Sequence, residues 1–334
     1  MEAKTSSFSW KNRRVLVTGA GGFIGSHLAE QLACLGARTR CLLRYTSQGS
    51  QGWLQTSRLR SELEIVHGDI RDVESVLRVA KDADVIFHLA ALIGIPYSYH
   101  SPRSYVETNI EGTLNILEAA RRYGTERVIC TSTSEVYGSA QYTPIDENHR
   151  LQGQSPYAAT KIGADKIVES YYCSFGVPTS IARPFNTYGP RQSSRAVIPA
   201  IMTQALTQPA VKLGNLAATR DFNFVSDTVD GFIAIAEIPE TIGKTLNIGS
   251  GTETSIRELA EMIFDVLGTR RPIDCEEIRL RPEASEVDRL CASSLLLHQY
   301  TAWKPTVSLR EGLVRTAEWI GQNLDAYSIG SYVI

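Results

Sequence analysis

The stretch TGAGGFIG, residues 18–25, decides the fold of this chain because it joins two kinds of secondary structure within a few residues. It follows Arg14–Thr18, a short run rich in β-branched residues, and it precedes residues 26–35, whose apolar residues have helical spacing. β-Branched residues favour strands, whereas apolar residues three or four positions apart indicate a helix. The stretch therefore predicts a strand, a tight turn and a helix.

Three glycines in this turn have the spacing G-x-x-G-x-x-G. Gly19 permits the tight turn, Gly22 lets a pyrophosphate approach the backbone, and Gly25 allows the helix to pack closely on the strand. The N-terminus of the helix that follows attracts phosphate groups through its free N–H groups and its dipole. In this context of strand, turn and helix, the glycines predict a dinucleotide-binding site.

The alternation of strand and helix continues through the first half of the chain. Further strands are predicted at residues 39–43, 64–67, 85–89, 128–131 and 179–182, and helices at residues 73–80, 104–123 and 157–175. Strands that alternate with helices form a parallel sheet with helices on both faces. The predicted fold class is therefore α/β, a Rossmann-type doubly wound parallel sheet.

The pattern loosens after Phe185, where glycine and proline interrupt it. We predict a dinucleotide-binding domain at residues 11–185 and a smaller α/β cap, which binds substrate, at residues 186–221 and 249–325. Between the two parts of the cap, a helix at residues 222–235 and a strand at residues 245–248 are predicted to return to the main sheet. The return segment, about residues 222–248, would then belong to the dinucleotide-binding domain.

Composition excludes several classes of protein. The 334 residues are 43% hydrophobic and carry a formal charge of −2, with the charges interleaved rather than grouped in blocks. Such a chain buries a large core but offers no electrostatic footprint for nucleic acid or an anionic membrane. No apolar run is long enough to span a bilayer, and the polar residues 1–11 argue against a secretory signal.

The six cysteines are scattered and form no C-x-x-C pair. We therefore predict buried free thiols in a reducing cytosol, a cytoplasmic protein and no metal site. The C-terminal residues 327–334 are apolar and match no lipidation motif.

The end of the second predicted strand bears on which dinucleotide binds. NAD sites carry an acidic residue about 20 residues after the glycines, where it binds the ribose 2′-hydroxyl. Here the segment LLRYTS, residues 42–47, has no carboxylate. Arg44 and the neighbouring hydroxyls suit a 2′-phosphate, so the sequence favours NADP, with NAD as the alternative. Asp69, after the third strand, either reaches the adenine edge or caps the next helix, a role to which Asp72 is equally suited.

A second group of polar residues follows a later strand. The segment TSTSEVYG, residues 131–138, precedes Tyr157 and Lys161, which share a helix face because they lie four residues apart. Ligands in such sheets bind beyond the carboxyl ends of the strands. The Lys161 ammonium and a positive nicotinamide ring favour the phenolate, so we expect the pKa of Tyr157 to fall below its usual value of about 10. Tyr157 would then serve as a base.

The chain resembles the extended short-chain dehydrogenase/reductases, in the group that modifies nucleotide sugars, over nearly its whole length. Two of the matching motifs are TGAGGFIG and YAATK, which contains Tyr157 and Lys161. The others are HLAA (88–91), TNIEGT (108–113), TSEVYG (133–138), RPFNTYGP (183–190), RDF (220–222) and RP (281–282). Their number and order make coincidence negligible.

This resemblance implies residues for both ligands. With Arg44 and Asp69, the expected cofactor-binding residues are Gly19, Gly22, Phe23, Ile24, Gly25, Ile70, Leu89, Ala90, Tyr157 and Lys161. The residues expected to bind the nucleotide-diphosphate sugar are Asn186, Arg191, Arg220 and Arg281. Arginine suits this role because its planar donors match phosphate oxygens. The resemblance also implies a tightly bound, recycled cofactor and a homodimer.

The triplet T-S-E followed by V-Y-G resembles the 4,6-dehydratases and the uronate decarboxylases of that group. Residues 93–102 and 151–157 look most like the dehydratases of nucleotide-linked N-acetylglucosamine in the legionaminic acid pathways. The prediction is therefore a redox-neutral nucleotide-sugar 4,6-dehydratase that yields a 4-keto-6-deoxy sugar. The alternatives are a 4-epimerase, a uronate decarboxylase, a 5,6-dehydratase or a non-catalytic NADP-binding protein.

The resemblance implies five catalytic residues. Tyr157 takes the proton of the sugar C4 hydroxyl, Glu135 takes the proton from C5, and Ser134 helps to protonate the departing C6 oxygen. Thr133 hydrogen-bonds Tyr157 or the sugar, and Lys161 also binds the nicotinamide ribose.

Overall fold

The structure is a computed structural model that describes residues 8–327. The apolar tail predicted from residue 327 onward lies outside this range, apart from Tyr327. The strands are β1 (Arg14–Thr18), β2 (Arg38–Arg44), β3 (Leu63–Gly68), β4 (Val85–His88), β5 (Arg127–Thr131), β6 (Thr179–Pro184), β7 (Asn186–Tyr188), β8 (Val211–Leu213), β9 (Thr219–Phe224), β10 (Thr245–Ile248), β11 (Glu253–Ser255) and β12 (Ile273–Cys275).

The helices pack around these strands. They are α1 (Phe23–Cys34), α2 (Val73–Ala80), α3 (Ile95–His100), α4 (Pro102–Tyr105), α5 (Gly112–Tyr123), α6 (Pro156–Phe175), α7 (Val197–Thr207), α8 (Val225–Glu237), α9 (Ile256–Leu267), α10 (Leu295–Thr301) and α11 (Leu309–Gln322). A π-helical segment, Val106–Glu111, joins α4 to α5, and a single 3₁₀ turn, Ser134–Tyr137, follows β5. Within the described residues, no helix has the length and hydrophobicity needed to cross a membrane.

The central sheet has the strand order β3-β2-β1-β4-β5-β6-β10, and all its neighbours pair in parallel. The chain winds outward in one direction from β1 to β3 and then in the other direction from β4. This reversal between β1 and β4 opens a crevice beyond the carboxyl ends of those two strands. The predicted Rossmann-type doubly wound sheet is confirmed.

The strands are buried because helices cover both faces of the sheet. Val15 and Val17 of β1 belong to a cluster on one face, with Leu28 of α1 and Phe232 of α8. Leu16, between the two valines, belongs to a cluster on the opposite face with residues of α2, α5 and α6. Successive side chains of a strand point to opposite faces, so a run of apolar residues is what a strand covered on both faces requires.

The smaller layer contains a three-stranded sheet, β11-β9-β7, and a two-stranded sheet, β12-β8. Helices α7, α9 and α11 pack on these strands through a separate apolar cluster that includes Met202, Leu259 and Leu313. The chain returns from this layer to the main sheet when α8 packs on α1, β5 and β6 and β10 joins the edge beside β6. It returns again through α10, which packs on β10 and α8.

The helix predicted at residues 222–235 begins three residues later than expected. Residues 222–224 are the end of β9, where Phe222 pairs with Asn186 and Phe224 with Tyr188 of β7. The aromatic rings of Phe222 and Phe224 both lie against Tyr188. Pairing with a distant strand overrides the helical spacing of the sequence at this point, because Phe222 and Phe224 bury their rings in the second apolar cluster.

Candidate active site

The glycine-rich turn leaves no room for side chains at two of its positions. Gly19 has a φ of +71°, and a Cβ there would lie 2.9 Å from the backbone nitrogen of Ala90. A Cβ on Gly25 would lie 2.3 Å from the carbonyl oxygen of Gly19. Both contacts are with backbone, which cannot move aside as a flexible side chain can. The turn is therefore held tightly against β4, where Leu89 and Ala90 both donate backbone hydrogen bonds of 3.1 Å to Thr18 Oγ1.

The first turn of α1 is open to an anion. Helix α1 begins after Gly22 with no side-chain cap and no acidic residue in its first turn, which contains Phe23 and Ile24. A Cβ added to Gly22 would meet only the Gly19 oxygen, at 3.3 Å. Uncapped N–H groups at a helix N-terminus bind phosphate, and the absence of a carboxylate leaves the helix dipole unopposed. These residues fit the pyrophosphate of a nicotinamide dinucleotide.

The residues predicted for the adenosine side lie at the ends of β2 and β3. Arg44 is exposed and stands opposite Gly68 in the strand register. The Arg71 guanidinium beside Asp69, with a contact of 2.7 Å, holds the pKa of that carboxyl below its usual value. Asp72, rather than Asp69, caps α2 by accepting hydrogen bonds from the next helical N–H groups, so the capping alternative for Asp69 is wrong.

The Ile70 side chain, also predicted at this site, is buried in the apolar cluster under the sheet. It packs against Gly112 at the start of α5, where an added Cβ would lie 2.6 Å from Ile70 Cδ1. Ile70 therefore holds α5 against the end of β3.

Tyr157 and Lys161 project from the first turns of α6 toward the end of β5. Lys161 Nζ donates a hydrogen bond of 2.6 Å to the Thr131 carbonyl, and the Tyr157 hydroxyl is hydrogen-bonded to the Thr133 side chain. Thr133 also caps the 3₁₀ turn by accepting from the Glu135 N–H at 3.2 Å, and this turn buries Ser134. The structure thus brings together all five residues predicted to be catalytic.

The electrostatics of Tyr157 differ from the sequence-based expectation. Burial raises the pKa of Tyr157; the hydrogen bond with Thr133 opposes this rise, while the charge of Glu135 adds to it. The expected lowering by Lys161 is absent in the protein alone, because the ammonium is directed to the Thr131 carbonyl. A positive nicotinamide ring held near Tyr157 would lower this pKa.

A buried ion pair lies beneath Lys161, and the sequence analysis did not identify it. Asp165, four residues after Lys161 on α6, accepts hydrogen bonds from Arg183 at 2.9 Å and from Ser132 at 2.8 Å. The side chains of Asp165 and Arg183 are 4% and 2% exposed. Burial lowers the pKa of Lys161, and Asp165 opposes that change. The sequence could have indicated Asp165, because it lies one helical turn after Lys161. It could not have indicated the partner, Arg183, which lies on a different element.

Arginines and carboxylates alternate where the cap faces the end of β5. Arg281 Nη1 lies 3.5 Å from Glu135 Oε2, and Arg220 Nη2 lies 3.4 Å from Glu286 Oε1. Asn186 Oδ1 and Arg281 Nη1 are both buried and have no hydrogen-bond partner among the described residues. Polar atoms left in this state are costly, so their presence here indicates a ligand that completes their hydrogen bonds.

Arg191, the fourth residue predicted to hold the substrate, is placed differently. Its guanidinium donates hydrogen bonds to both carboxylate oxygens of Glu30, at 2.9 and 3.0 Å, and to Ser26 Oγ at 3.1 Å. Glu30 and Ser26 belong to α1, so Arg191 ties the cap to the helix that follows the glycine-rich turn. The structure does not bring Arg191 to the cluster formed by Arg220 and Arg281.

His88, at the end of β4, joins the cofactor turn to α5. Its Nδ1 lies 2.8 Å from Thr18 Oγ1 and its Nε2 lies 3.1 Å from Thr113 Oγ1. Thr113 donates its own proton to the Asn109 carbonyl and therefore accepts from His88 Nε2, which assigns the neutral tautomer. Burial, with the charge of Lys161 as a smaller effect, lowers the pKa of His88 to about 3.

Within residues 8–327, no group of three His, Cys, Asp or Glu side chains is arranged to hold a metal ion.

A glycine turn at the reversal point of a parallel sheet, facing a buried Tyr and Lys pair, defines a short-chain dehydrogenase/reductase. The chain belongs to the family described as GDP-mannose 4,6 dehydratase, whose sequence pattern matches residues 16–316. This is a family of enzymes that modify nucleotide sugars with a nicotinamide cofactor.

Relatives of the chain carry out three different reactions. It is 34% identical to a UDP-glucose 4-epimerase of Mycolicibacterium smegmatis over 92% of its length and 98% of the relative. It is 32% identical to a UDP-N-acetyl-alpha-D-glucosaminuronate decarboxylase of Bacillus cytotoxicus, over 92% and 97%. The dTDP-glucose 4,6-dehydratase DesIV from Streptomyces venezuelae, solved with NAD bound, is similar at 31% identity and a TM-score of 0.84, over 94% of this chain and 99% of DesIV.

The buried His88 predicts a specific loss of stability in acid. Below its ordinary pKa of 6.5 the histidine of the unfolded chain binds a proton, whereas the folded protein keeps His88 neutral down to about 3. The free energy of unfolding should therefore fall with pH in this interval, by about 1.5 kcal/mol between pH 6.5 and pH 5 from this residue alone. Urea unfolding of His88→Gln should show a fall that is smaller by this amount. His100→Gln, which changes an exposed histidine, is the control, and identical pH profiles for all three proteins would contradict the assignment.

Proposed function

We propose that the protein is a nucleotide-sugar 4,6-dehydratase. The observation that supports this most directly is the position of Glu135, whose side chain is 13% exposed and close enough to Tyr157 to raise its pKa. A 4-epimerase has to move a hydride and the C4 hydroxyl proton only. A carboxylate beside that tyrosine supplies a second base, which elimination of water requires.

The residues of the chain divide the proton transfers between them. A nicotinamide dinucleotide held by the glycine-rich turn and Lys161 would supply reversible uptake of a hydride, so the reaction would bring no net oxidation of the sugar. Tyr157, hydrogen-bonded to Thr133, accepts the proton of the C4 hydroxyl, and Lys161 holds the nicotinamide ribose. The resulting 4-ketone acidifies the hydrogen at C5.

Elimination then uses the turn after β5. Glu135 removes the C5 proton, and Ser134, directly or through a water, assists protonation of the C6 oxygen as the C5–H and C6–O bonds break and water leaves. Hydride returned to C6 and a proton returned to C5 give the 4-keto-6-deoxy sugar. Arg220, Arg281 and Asn186 hold the diphosphate, and the resemblance of residues 93–102 favours a nucleotide-linked N-acetylglucosamine as the sugar.

Glu135→Gln provides the test, because it keeps the shape of the side chain and removes the base. We expect wild-type enzyme in deuterium oxide to convert one of a panel of UDP-, dTDP-, GDP- and CDP-sugars with loss of water and incorporation of deuterium at C5. The variant should bind cofactor as before and lose at least about 100-fold in turnover, the usual contribution of a general base. Mass spectrometry and NMR of the product measure both effects.

Other outcomes of this experiment identify other reactions. Inverted C4 without loss of water indicates an epimerase, loss of carbon dioxide indicates a decarboxylase, and an exocyclic alkene indicates a 5,6-dehydratase. No conversion of any sugar supports a binding protein. Undiminished turnover by Glu135→Gln rejects Glu135 as the base.

We also propose that NADP is the preferred cofactor. Support comes from Arg44, which is exposed at the end of β2, and from Asp69, whose carboxylate is paired with Arg71. Arg44→Ala should weaken NADP binding about 10-fold by removing a phosphate partner and leave NAD binding unchanged. Fluorescence titration of apo-protein measures this, with Arg38→Ala at the opposite end of β2 as the control. Equal affinities for the two dinucleotides would reject the preference.

We propose further that two chains associate through α5 and α6 and that the protein works in the cytoplasm. Tyr123, Tyr172 and Phe175 are exposed near the ends of these helices, which supports a contact there. The six cysteines are unpaired, which supports a reducing compartment, although Cys34, Cys173 and Cys275 are exposed rather than buried as expected. A mass of one chain in light scattering would reject the dimer.

A further inference from the structure

Glu135, the proposed base, is in contact with Arg281, one of the residues proposed to bind the diphosphate. Glu135 Oε2 and Arg281 Nη1 are 3.5 Å apart, with side-chain exposures of 13% and 25%. The charge of Glu135 also acts on Arg220, whose side chain is 8% exposed. The Glu135 carboxylate, proposed to deprotonate the sugar, is therefore held by Arg281 and Arg220, which are proposed to bind the diphosphate.

This contact leaves Arg281 incompletely paired. Its Nη1 is buried and makes no hydrogen bond, although the Glu135 carboxylate is its ion-pair partner. Arg220, by contrast, also donates a hydrogen bond of 2.9 Å to the Thr219 carbonyl, which fixes its position. An ion pair without a hydrogen bond is weak, whereas a phosphate oxygen offers arginine a short, charge-assisted one.

The charges of the cluster also require a rearrangement when an anion binds. Arg220 and Arg281 are balanced by Glu135 and Glu286, so the group is neutral before substrate arrives. A diphosphate that entered while both carboxylates stayed would give this half-buried cluster an excess of negative charge, and displacing one carboxylate reduces that excess. Of the two carboxylates, Glu286 is also held by the backbone of the next residue, because its Oε1 accepts a hydrogen bond from the Val287 N–H at 3.1 Å. Glu135 is the one that can leave its arginine.

We infer that Glu135 is ion-paired with Arg281 in the substrate-free protein, and that the substrate diphosphate displaces it and so releases the catalytic base toward the sugar. The inference rests on the proposed function for the role of the released carboxylate. It makes base release depend on the nucleotide part of the substrate, so a sugar without its diphosphate leaves Glu135 paired. The proton transfer itself is unchanged: Glu135 accepts the C5 proton only after Arg281 has moved to the phosphate.

A double-mutant cycle on nucleotide binding tests this inference without turnover. The holoenzyme is titrated by calorimetry with UDP, dTDP, GDP and CDP, and the tightest of them is used for the variants. Glu135→Gln should bind it about 5-fold more tightly, because Arg281 is no longer engaged. Arg281→Gln should bind it about 10-fold more weakly, and Glu135→Gln should bring no gain in that background. Glu135→Ala gives a second measurement of the same gain.

Glu283→Gln is the matched control, since it removes an exposed carboxylate two residues from Arg281 and should leave affinity unchanged. The thermal midpoint and cofactor content show that each variant is folded. Three results overturn the inference: no gain from Glu135→Gln, an equal gain with Arg281 absent, which indicates general repulsion, or no binding of any diphosphate by the wild type. If the cycle behaves as expected but no sugar is converted, the proposed function fails and the contact between Glu135 and Arg281 stands.

Discussion

The buried ion pair between Asp165 and Arg183 is the interaction on which the catalytic end of the sheet depends. Asp165 lies on the same helix as Tyr157 and Lys161, and Arg183 is the second-last residue of β6, so the pair fixes the position of that helix against the strand end. Taking both charges out of water is costly, and the pair survives only because Ser132 and Tyr137 complete its hydrogen bonds. Removing one partner would leave a buried charge, a loss of about 3–5 kcal/mol. The positions of the phenol and the ammonium thus depend on a contact that touches neither of them.

The same network extends to the part of the chain that returns from the cap. The Tyr137 hydroxyl donates to Asn247 Oδ1 at 2.7 Å, and Asn247 belongs to β10. Close by, the Asp221 carboxylate, fully buried within β9, accepts hydrogen bonds from the backbone N–H groups of Ser250, Gly251 and Ala292. Buried polar groups on the side of the main sheet therefore stabilise the turn that contains Glu135, while Arg281 and Arg220 approach this turn from the side of the cap. Positions in the cleft are set by both layers together.

Local patterns in the sequence were sufficient for the sheet and for the two motifs that face its crevice. The glycine turn needs only residues that are adjacent in the chain, and Tyr157 with Lys161 needs only helical spacing. Contacts between distant segments were not accessible in the same way. Nothing local in the sequence shows that Arg191 pairs with Glu30, that Arg183 pairs with Asp165, or that Phe222 extends a strand against β7. The direction of the pKa of Tyr157 also depends on burial and on where Lys161 is directed, and both are properties of the folded chain.

The return of β10 to the main sheet has a consequence for how this architecture can be altered. Because β10 forms the edge beside β6, the cofactor-binding layer is not contiguous in the gene, and a fragment that ends after β6 would expose the backbone of that strand. Exposed edges of this kind invite aggregation. Recombination or engineering that exchanges the C-terminal half between relatives therefore exchanges an edge strand as well as a substrate pocket. New specificities are more accessible by substitution within the existing cleft than by transplanting a whole layer.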